Sequence, residues 1–199
     1  MSIIVNHITK SYHGQKVLNN IYFEIKENSC TCIMGPSGEG KTTLLRILMG
    51  LEKPDDGSVE GIKGEKLSVV FQEDRLCEEL DAVTNVTMVL GKDKSTNPII
   101  EEFDKVGLCN YFDKPVSKLS GGMKRRVAIL RSCLMDADIY IMDEPFKGLD
   151  DELKRNVISY VKNKIKGKTL IVVTHDISEV DLLEAELIYL NRNKEMNQS

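Results

Sequence analysis

Gly35-Pro36-Ser37-Gly38-Glu39-Gly40-Lys41-Thr42 follows an apolar run, Cys30-Thr31-Cys32-Ile33-Met34, and precedes leucines at helical spacing, Leu44, Leu45 and Leu48. This stretch restricts the fold more tightly than any other in the chain. Its spacing is G-x-x-x-x-G-K-[ST]. Glycines there let successive backbone N–H groups curl around phosphate oxygens, and the helix that follows presents the positive end of its dipole. Such a loop works only between a strand and a helix. The sequence therefore predicts a strand over 30–34 and a helix from Lys41 that stops at Gly50, with Pro54 beyond it. Lys41 is expected to bridge the β- and γ-phosphates of ATP, the Thr42 hydroxyl to ligate Mg²⁺, and Thr43 to join the nucleotide contacts of the first helical turn.

The rest of the pattern builds a sheet around that loop. Strands are predicted over 3–8 and 21–26, separated by breaks at His13-Gly14 and Glu27-Asn28, and over 67–71, leading into Gln72. Residues 81–90 and 98–106 read as amphipathic helices. From Ser120 the chain alternates: a helix to about 135, a strand at 139–142, a helix at 151–165, a strand at 169–173, a short helix after His175 and a strand at 187–190. Apolar strands alternating with helices argue for an α/β fold with a parallel sheet flanked by helices. The polar stretch 191–199 is expected to fray. With 199 residues, one domain over 1–199 is expected.

Composition removes several classes. With 27 basic and 31 acidic side chains the formal net charge is −4, so the chain has no general attraction to nucleic-acid backbones or anionic lipid. No apolar run approaches the roughly 20 residues that span a bilayer, and residues 1–10 lack the pattern of a secretion signal; a cytoplasmic chain is expected. Cys30, Cys32, Cys77, Cys109 and Cys133 include no C-x-x-C pair, which argues against a disulfide framework or a zinc site; buried small side chains are expected instead.

Ile139-Tyr140-Ile141-Met142-Asp143-Glu144 is an apolar strand ending in adjacent carboxylates. Successive strand-end side chains diverge, so the two can take different tasks: Asp143 suits the Mg²⁺ shell and Glu144 the activation of an attacking water. Leu119-Ser120-Gly121-Gly122-Met123 precedes a helix whose first turns carry Lys124, Arg125 and Arg126. Ser120 is a good N-cap, and the three basic residues read as a solvated or interface helix face rather than a nucleic-acid patch.

Leu-Ser-Gly-Gly ahead of a basic helix, followed by the Asp143-Glu144 strand end, resembles the signature of ATP-binding-cassette (ABC) ATPases. The resemblance extends over almost the whole chain. It implies an N-terminal antiparallel β subdomain and a small helical subdomain, about 74–135, inserted in the phosphate-loop core. By position, Tyr12 resembles the aromatic that stacks on adenine, and Gln72 the glutamine that touches Mg²⁺ or the attacking water. Asp150, in Gly148-Leu149-Asp150, resembles the inter-subunit aspartate, and His175 the histidine that contacts the γ-phosphate. Singly, Tyr12 also reads as a turn tyrosine, Gln72 as a strand end and His175 as a helix cap. Two positions depart from the family: Met123 stands where Gln is usual, and Glu39 where a small residue is usual.

The resemblance further implies that Ser120, Gly121 and Gly122 complete the site of a second copy, in a head-to-tail ATP-sandwich dimer. It implies transmembrane permease subunits and a substrate-binding protein as partners, with the chain attached to the inner face of the cell membrane through the permease. The wording Phe71-Gln72-Glu73-Asp74-Arg75-Leu76 and Met142-Asp143-Glu144-Pro145-Phe146-Lys147 resembles the nitrate, sulfonate and taurine importer branch. A soluble cassette ATPase outside transport is the alternative, and a small-molecule kinase with the same loop is disfavoured by Leu-Ser-Gly-Gly and His175.

Overall fold

A computed structural model describes residues 2–90 and 97–190. The expectation of a frayed 191–199 lies outside these residues. Two strands, β1 (Ile3–Tyr12) and β2 (Gln15–Ile25), form an antiparallel hairpin, joined at His13 and Gly14, whose φ values are 50° and 79°. Positive φ at both turn positions matches the right-handed twist of the flanking strands, which is why the predicted break falls there. The hairpin is longer than expected, because its outer half carries few buried apolar residues. A third strand, β4 (Asp56–Glu60), completes a sheet of order β2-β1-β4. It escapes sequence reading because Val59 is its one large apolar residue.

The second sheet is parallel. Its strands are β3 (Cys30–Met34), β5 (Leu67–Val70), β6 (Ile139–Asp143), β7 (Thr169–Val173) and β8 (Glu186–Tyr189), in the order β5-β6-β7-β3-β8. Every residue of β6 and β7 is buried, as expected of central strands covered on both faces. One face packs with α1 (Lys41–Leu48) and the antiparallel hairpin: Leu44, Leu45 and Leu48 join Ile33, Ile141, Ile171 and Val173 and the hairpin's Val5, Ile8 and Phe23. The opposite face carries α4 (Gly121–Leu134) and α5 (Asp151–Lys164), whose Val127, Leu130, Val157 and Val161 meet Cys32, Met142 and Val172.

Two short helices, α2 (Ala82–Thr87) and α3 (Asn97–Lys105), pack on α4 through Val86, Phe103 and Val106. The last helix, α6 (Ile177–Leu183), follows β7. Asp81, Ser120, Asp150 and Asp176 each accept a hydrogen bond from a backbone N–H of the helix they precede, so all four N-termini are capped by a side chain. The parallel sheet flanked by helices and the separate antiparallel sheet agree with the predicted architecture. The expectation for the cysteines holds only in part: Cys32 and Cys133 are buried, but Cys77 and Cys109 are exposed because both lie in polar loops.

Candidate active site

In a parallel sheet all the carboxyl ends face one way, and ligands gather outside them. Here β3, β5, β6 and β7 end respectively in Gly35, the segment leading to Gln72, Asp143-Glu144 and Thr174-His175. The phosphate loop takes the conformation that its glycines permit. Gly38 and Gly40 have φ of 82° and 86°, and a Cβ on Gly40 would lie 2.7 Å from Leu18 Cδ2 and 2.9 Å from the Val17 carbonyl. A Cβ on Gly35 would lie 2.6 Å from the Leu190 carbonyl. Pro36, Ser37 and Glu39 fill the loop between them, and the Glu39 N–H reaches back to the Pro36 carbonyl at 3.4 Å.

Lys41 is buried, and its ammonium donates to the carbonyls of Gly35 and Pro36, both at 2.7 Å. Burial lowers its pKa, while the carboxylates of Glu144, Asp143 and Glu39 pull the other way. An ammonium stabilised by such bonds and directed at the loop is suited to exchange carbonyl for phosphate oxygens. The Thr42 hydroxyl stands beside the Asp143 carboxyl and favours its charged form. Asp143 is itself buried; that burial, and then the adjacent Glu144, raise its pKa, against the pull of Arg125, Lys41 and Thr42. Thr42, Asp143 and Gln72 line one cleft of about 400 Å³.

This donor set fits Mg²⁺. The ion is commonly held by one or two protein oxygens, keeping waters and phosphate oxygens for the remaining positions. A hydroxyl sharing its cleft with a buried carboxylate that carries a desolvation penalty is such a pair, and a cation would relieve the penalty. No group of three or more His, Cys, Asp or Glu side chains forms a self-sufficient metal cage among the described residues.

Glu144 turns away from Asp143 because its φ is 47°, in the left-handed region. For a non-glycine residue that conformation costs about 1–2 kcal/mol. It is held by the bond from the Glu144 N–H to the Val173 carbonyl at 2.9 Å. Glu144 Oε1 lies 3.3 Å from His175 Nε2, and Lys147 Nζ donates to Oε2 at 2.5 Å. These three residues line a second cleft, of about 290 Å³, with Thr174, Asp176 and the buried Glu179.

Thr42, Asp143 and Gln72 thus share one cleft and Glu144 and His175 the other, Asp143 and Glu144 are consecutive, and both carboxylates act on the Lys41 ammonium. Other predicted residues stand apart. Tyr12 ends β1 and is exposed, with Lys10 Nζ 5.5 Å from its ring centroid. Ser120 and Gly121 are exposed at the start of α4, and neither lines the two clefts. Gly122 packs close to the 148–149 turn, its Cβ position 3.8 Å from the Gly148 carbonyl. Asp150 accepts from the Leu153 N–H at 3.0 Å as the N-cap of α5. Met123 packs on the hydrophobic core, a role a thioether fills well.

Of the expected solvated or interface face, the solvated reading fails for Arg125 and Arg126. Both are buried, and both donate to backbone carbonyls, Arg125 to Phe71 and Gln72 and Arg126 to Val106 and Gly107. Lys124 beside them pairs with Glu78 at 2.7 Å. Lys147 was also missed as a neighbour of the site; the turn that places it three residues after Glu144 is its only sequence signal.

The sequence profile described as ABC transporter matches residues 18–147. The chain belongs to the ABC transporter family. It is 33% identical to a sulfate/thiosulfate import ATP-binding protein CysA of Anthoceros angustus, covering 100% of this cassette and 56% of that protein. It is 34% identical to a probable sulfate/thiosulfate import ATP-binding protein CysA of Chlorella vulgaris, covering 98% and 89%. It is 33% identical to a spermidine/putrescine import ATP-binding protein PotA of Mycoplasma capricolum subsp. capricolum, covering 94% and 58%. The cassette thus spans little more than half the length of the first and third of these relatives. Among solved structures it is similar to the ATP-binding cassette MJ0796 in a dimeric post-hydrolysis state bound to ADP and Pi, with TM-score 0.84, 28% identity and 98% of each chain covered.

Proposed function

We propose that the chain binds and hydrolyses ATP with Mg²⁺ as the nucleotide-binding subunit of an importer, driving separate membrane permease subunits. The observation that carries this reading is the convergence of the 35–42 loop, the Thr42–Asp143 pair and the Glu144–His175 pair at one end of the sheet. Lys41 and the loop N–H groups bind the β- and γ-phosphates. Thr42 and Asp143, with Gln72, hold Mg²⁺, which supplies charge neutralisation on the phosphate oxygens when bound. Glu144 orients the attacking water and accepts its proton, and His175 donates a hydrogen bond to the transferring phosphoryl group.

The site needs a second copy. Ser120, Gly121 and Gly122 lie outside the clefts lined by Thr42 and Asp143 and by Glu144 and His175, and the exposed, open N-terminus of α4 is free to meet phosphate from another chain. The related MJ0796 cassette is dimeric, which supports a head-to-tail homodimer here. Tyr12 is assigned to adenine stacking and Asp150 to the dimer interface. Residues of about 74–135 form the helical subdomain.

Relatives named as import ATP-binding proteins support the direction of transport. No helix among the described residues is long and apolar enough to cross a membrane. The names of the import ATP-binding relatives support permease partners, and through them the chain is assigned to the inner face of the cell membrane. The wording at 71–76 and 142–147 supports the finer assignment to the nitrate, sulfonate and taurine branch, in which a substrate-binding protein delivers the cargo.

The test is Mg²⁺-dependent ATP hydrolysis by the purified chain, together with co-purification from membranes. A multispanning protein should accompany the tagged chain. ATP hydrolysis without any membrane partner would favour the soluble cassette instead, and the absence of ATP binding would overturn the reading altogether.

A further inference from the structure

Beyond β5, the segment 71–75 that carries Gln72 leaves the sheet, and its carbonyls lose their strand partners. Two arginines of α4 supply replacements. Arg125 donates from Nη1 to the Phe71 carbonyl at 2.6 Å and from Nη2 to the carbonyl of Gln72 itself. Arg131 donates to the carbonyls of Asp74 at 3.1 Å and Arg75 at 2.9 Å. The Asp74 carboxylate lies 3.2 Å from Arg125 Nη1, and the Arg75 guanidinium stacks 3.5 Å from the Phe71 ring centroid. Arg125 is only 8% exposed. A guanidinium that deep must fill its donors, and a planar fork fits two successive carbonyls in a way an ammonium does not.

The helix that makes these bonds is also the one capped by Ser120, a turn and a half before Arg125. Gln72 and Ser120 therefore belong to one hydrogen-bonded body, whereas Thr42 and Asp143 belong to α1 and the sheet. We propose that Arg125 is a positioning residue for Gln72: its grip on the Phe71 and Gln72 carbonyls sets the reach of the Gln72 amide toward the Thr42–Asp143 pair and couples that reach to the placement of Ser120. The inference rests on the assignment of Gln72 to the Mg²⁺ side of the nucleotide site.

The test titrates Mg²⁺ against ATP hydrolysis in the wild type, Arg125→Gln, Gln72→Ala and the double variant. A fluorescent ATP analogue measures nucleotide binding in EDTA. Arg125→Gln should raise the Mg²⁺ concentration for half-maximal rate by about tenfold, the scale of one charge-assisted hydrogen bond. Gln72→Ala should do the same, and the double variant should shift no further than the larger single change, as expected for residues that act as one unit. Arg125→Lys, which keeps the charge beside Asp74 and loses the fork, should recover only part of the shift; it closes the same cycle if Arg125→Gln does not fold. An unchanged Mg²⁺ dependence, additive shifts, or an equal loss of metal-free binding would each overturn the proposal and leave Arg125 as a structural staple. A wild type that fails to bind the analogue would instead overturn the nucleotide site on which the proposal rests.

Discussion

The Glu144 carboxylate at the end of β6 and the His175 imidazole after β7 stand 3.3 Å apart, on adjacent strands of the sheet. The register pairs Asp143 with Val173, and the Glu144 N–H closes on the Val173 carbonyl at 2.9 Å, so the two strand ends are fixed to each other by backbone bonds. A base held this way is aimed before substrate arrives. Glu144→Gln keeps the shape and removes the proton acceptor. It should bind ATP with wild-type affinity, lose about 10²–10⁴ in turnover and accumulate as an ATP-bound dimer on size exclusion. Rapid turnover by this variant would remove Glu144 from its role.

Lys147 grips the other Glu144 oxygen at 2.5 Å, but its side chain is two-thirds exposed. Exposed ion pairs contribute at most about 1 kcal/mol, so its effect on the carboxylate is orientation at modest strength. Lys147→Ala should lower kcat by no more than about fivefold and leave KM for ATP within about twofold. A loss comparable to that of Glu144→Gln would mean that Lys147 touches substrate directly.

Gly40 tests the loop from the side of the backbone. Its φ of 86° and the contacts a Cβ would make, 2.7 Å from Leu18 Cδ2 and 2.9 Å from the Val17 carbonyl, leave no room for a side chain. The carbonyl cannot swing aside as a side-chain end can. Gly40→Ala should cost about 2–5 kcal/mol through left-handed strain and overpacking, lowering Tm by roughly 5–15 °C, with loss of ATP binding. A calorimetric Tm unchanged from wild type would show that the loop relaxes without the hairpin.

The phosphate loop and the Asp143-Glu144 strand end were legible because each demands particular residue types in consecutive positions: glycine where φ is positive, carboxylates where a buried strand stops. Arg125 and Arg126 were not. What buries them is a supply of unpaired carbonyls at 71–72 and 106–107, brought to α4 by the tertiary fold and invisible to helical periodicity. The strand β4 was hidden for a related reason, since Asp56-Gly57-Ser58-Val59-Glu60 owes its conformation to pairing with β1 rather than to its own pattern. Ser120 read correctly as a helix cap, a role that one chain displays, whereas the same role of Asp150 emerges only from the structure; the part of either in a dimer depends on a surface a second chain must provide.

Acid should loosen the turn that carries His175. The neighbouring Asp176 carboxylate accepts from Lys154 Nζ at 2.7 Å and from the Ser178 N–H at 2.9 Å, and these bonds, Lys154 first, pull its pKa down from 3.8 to about 2. A carboxyl whose folded pKa is depressed contributes stability above its unfolded value, and that contribution disappears as pH falls through the folded one. The window is therefore about pH 4 to pH 2. Because the Asp176 side chain is 39% exposed, solvent screening limits the pair to under about 1 kcal/mol. Lys154→Met should lower Tm by roughly 1–3 °C at pH 7, and the pH-dependent part of that difference should vanish between pH 4 and pH 2. The same bonds cap α6 and lie next to Thr174, whose hydroxyl accepts from the Asp176 N–H at 3.0 Å and donates to the buried Glu179 at 2.5 Å. Loss of the lysine should thus also lower kcat more than it raises KM for ATP, since the groups it steadies surround His175 rather than the phosphate loop. A Tm difference that stays constant from pH 7 to pH 2, measured by differential scanning calorimetry, would show that the Asp176–Lys154 pair does not stabilise this turn.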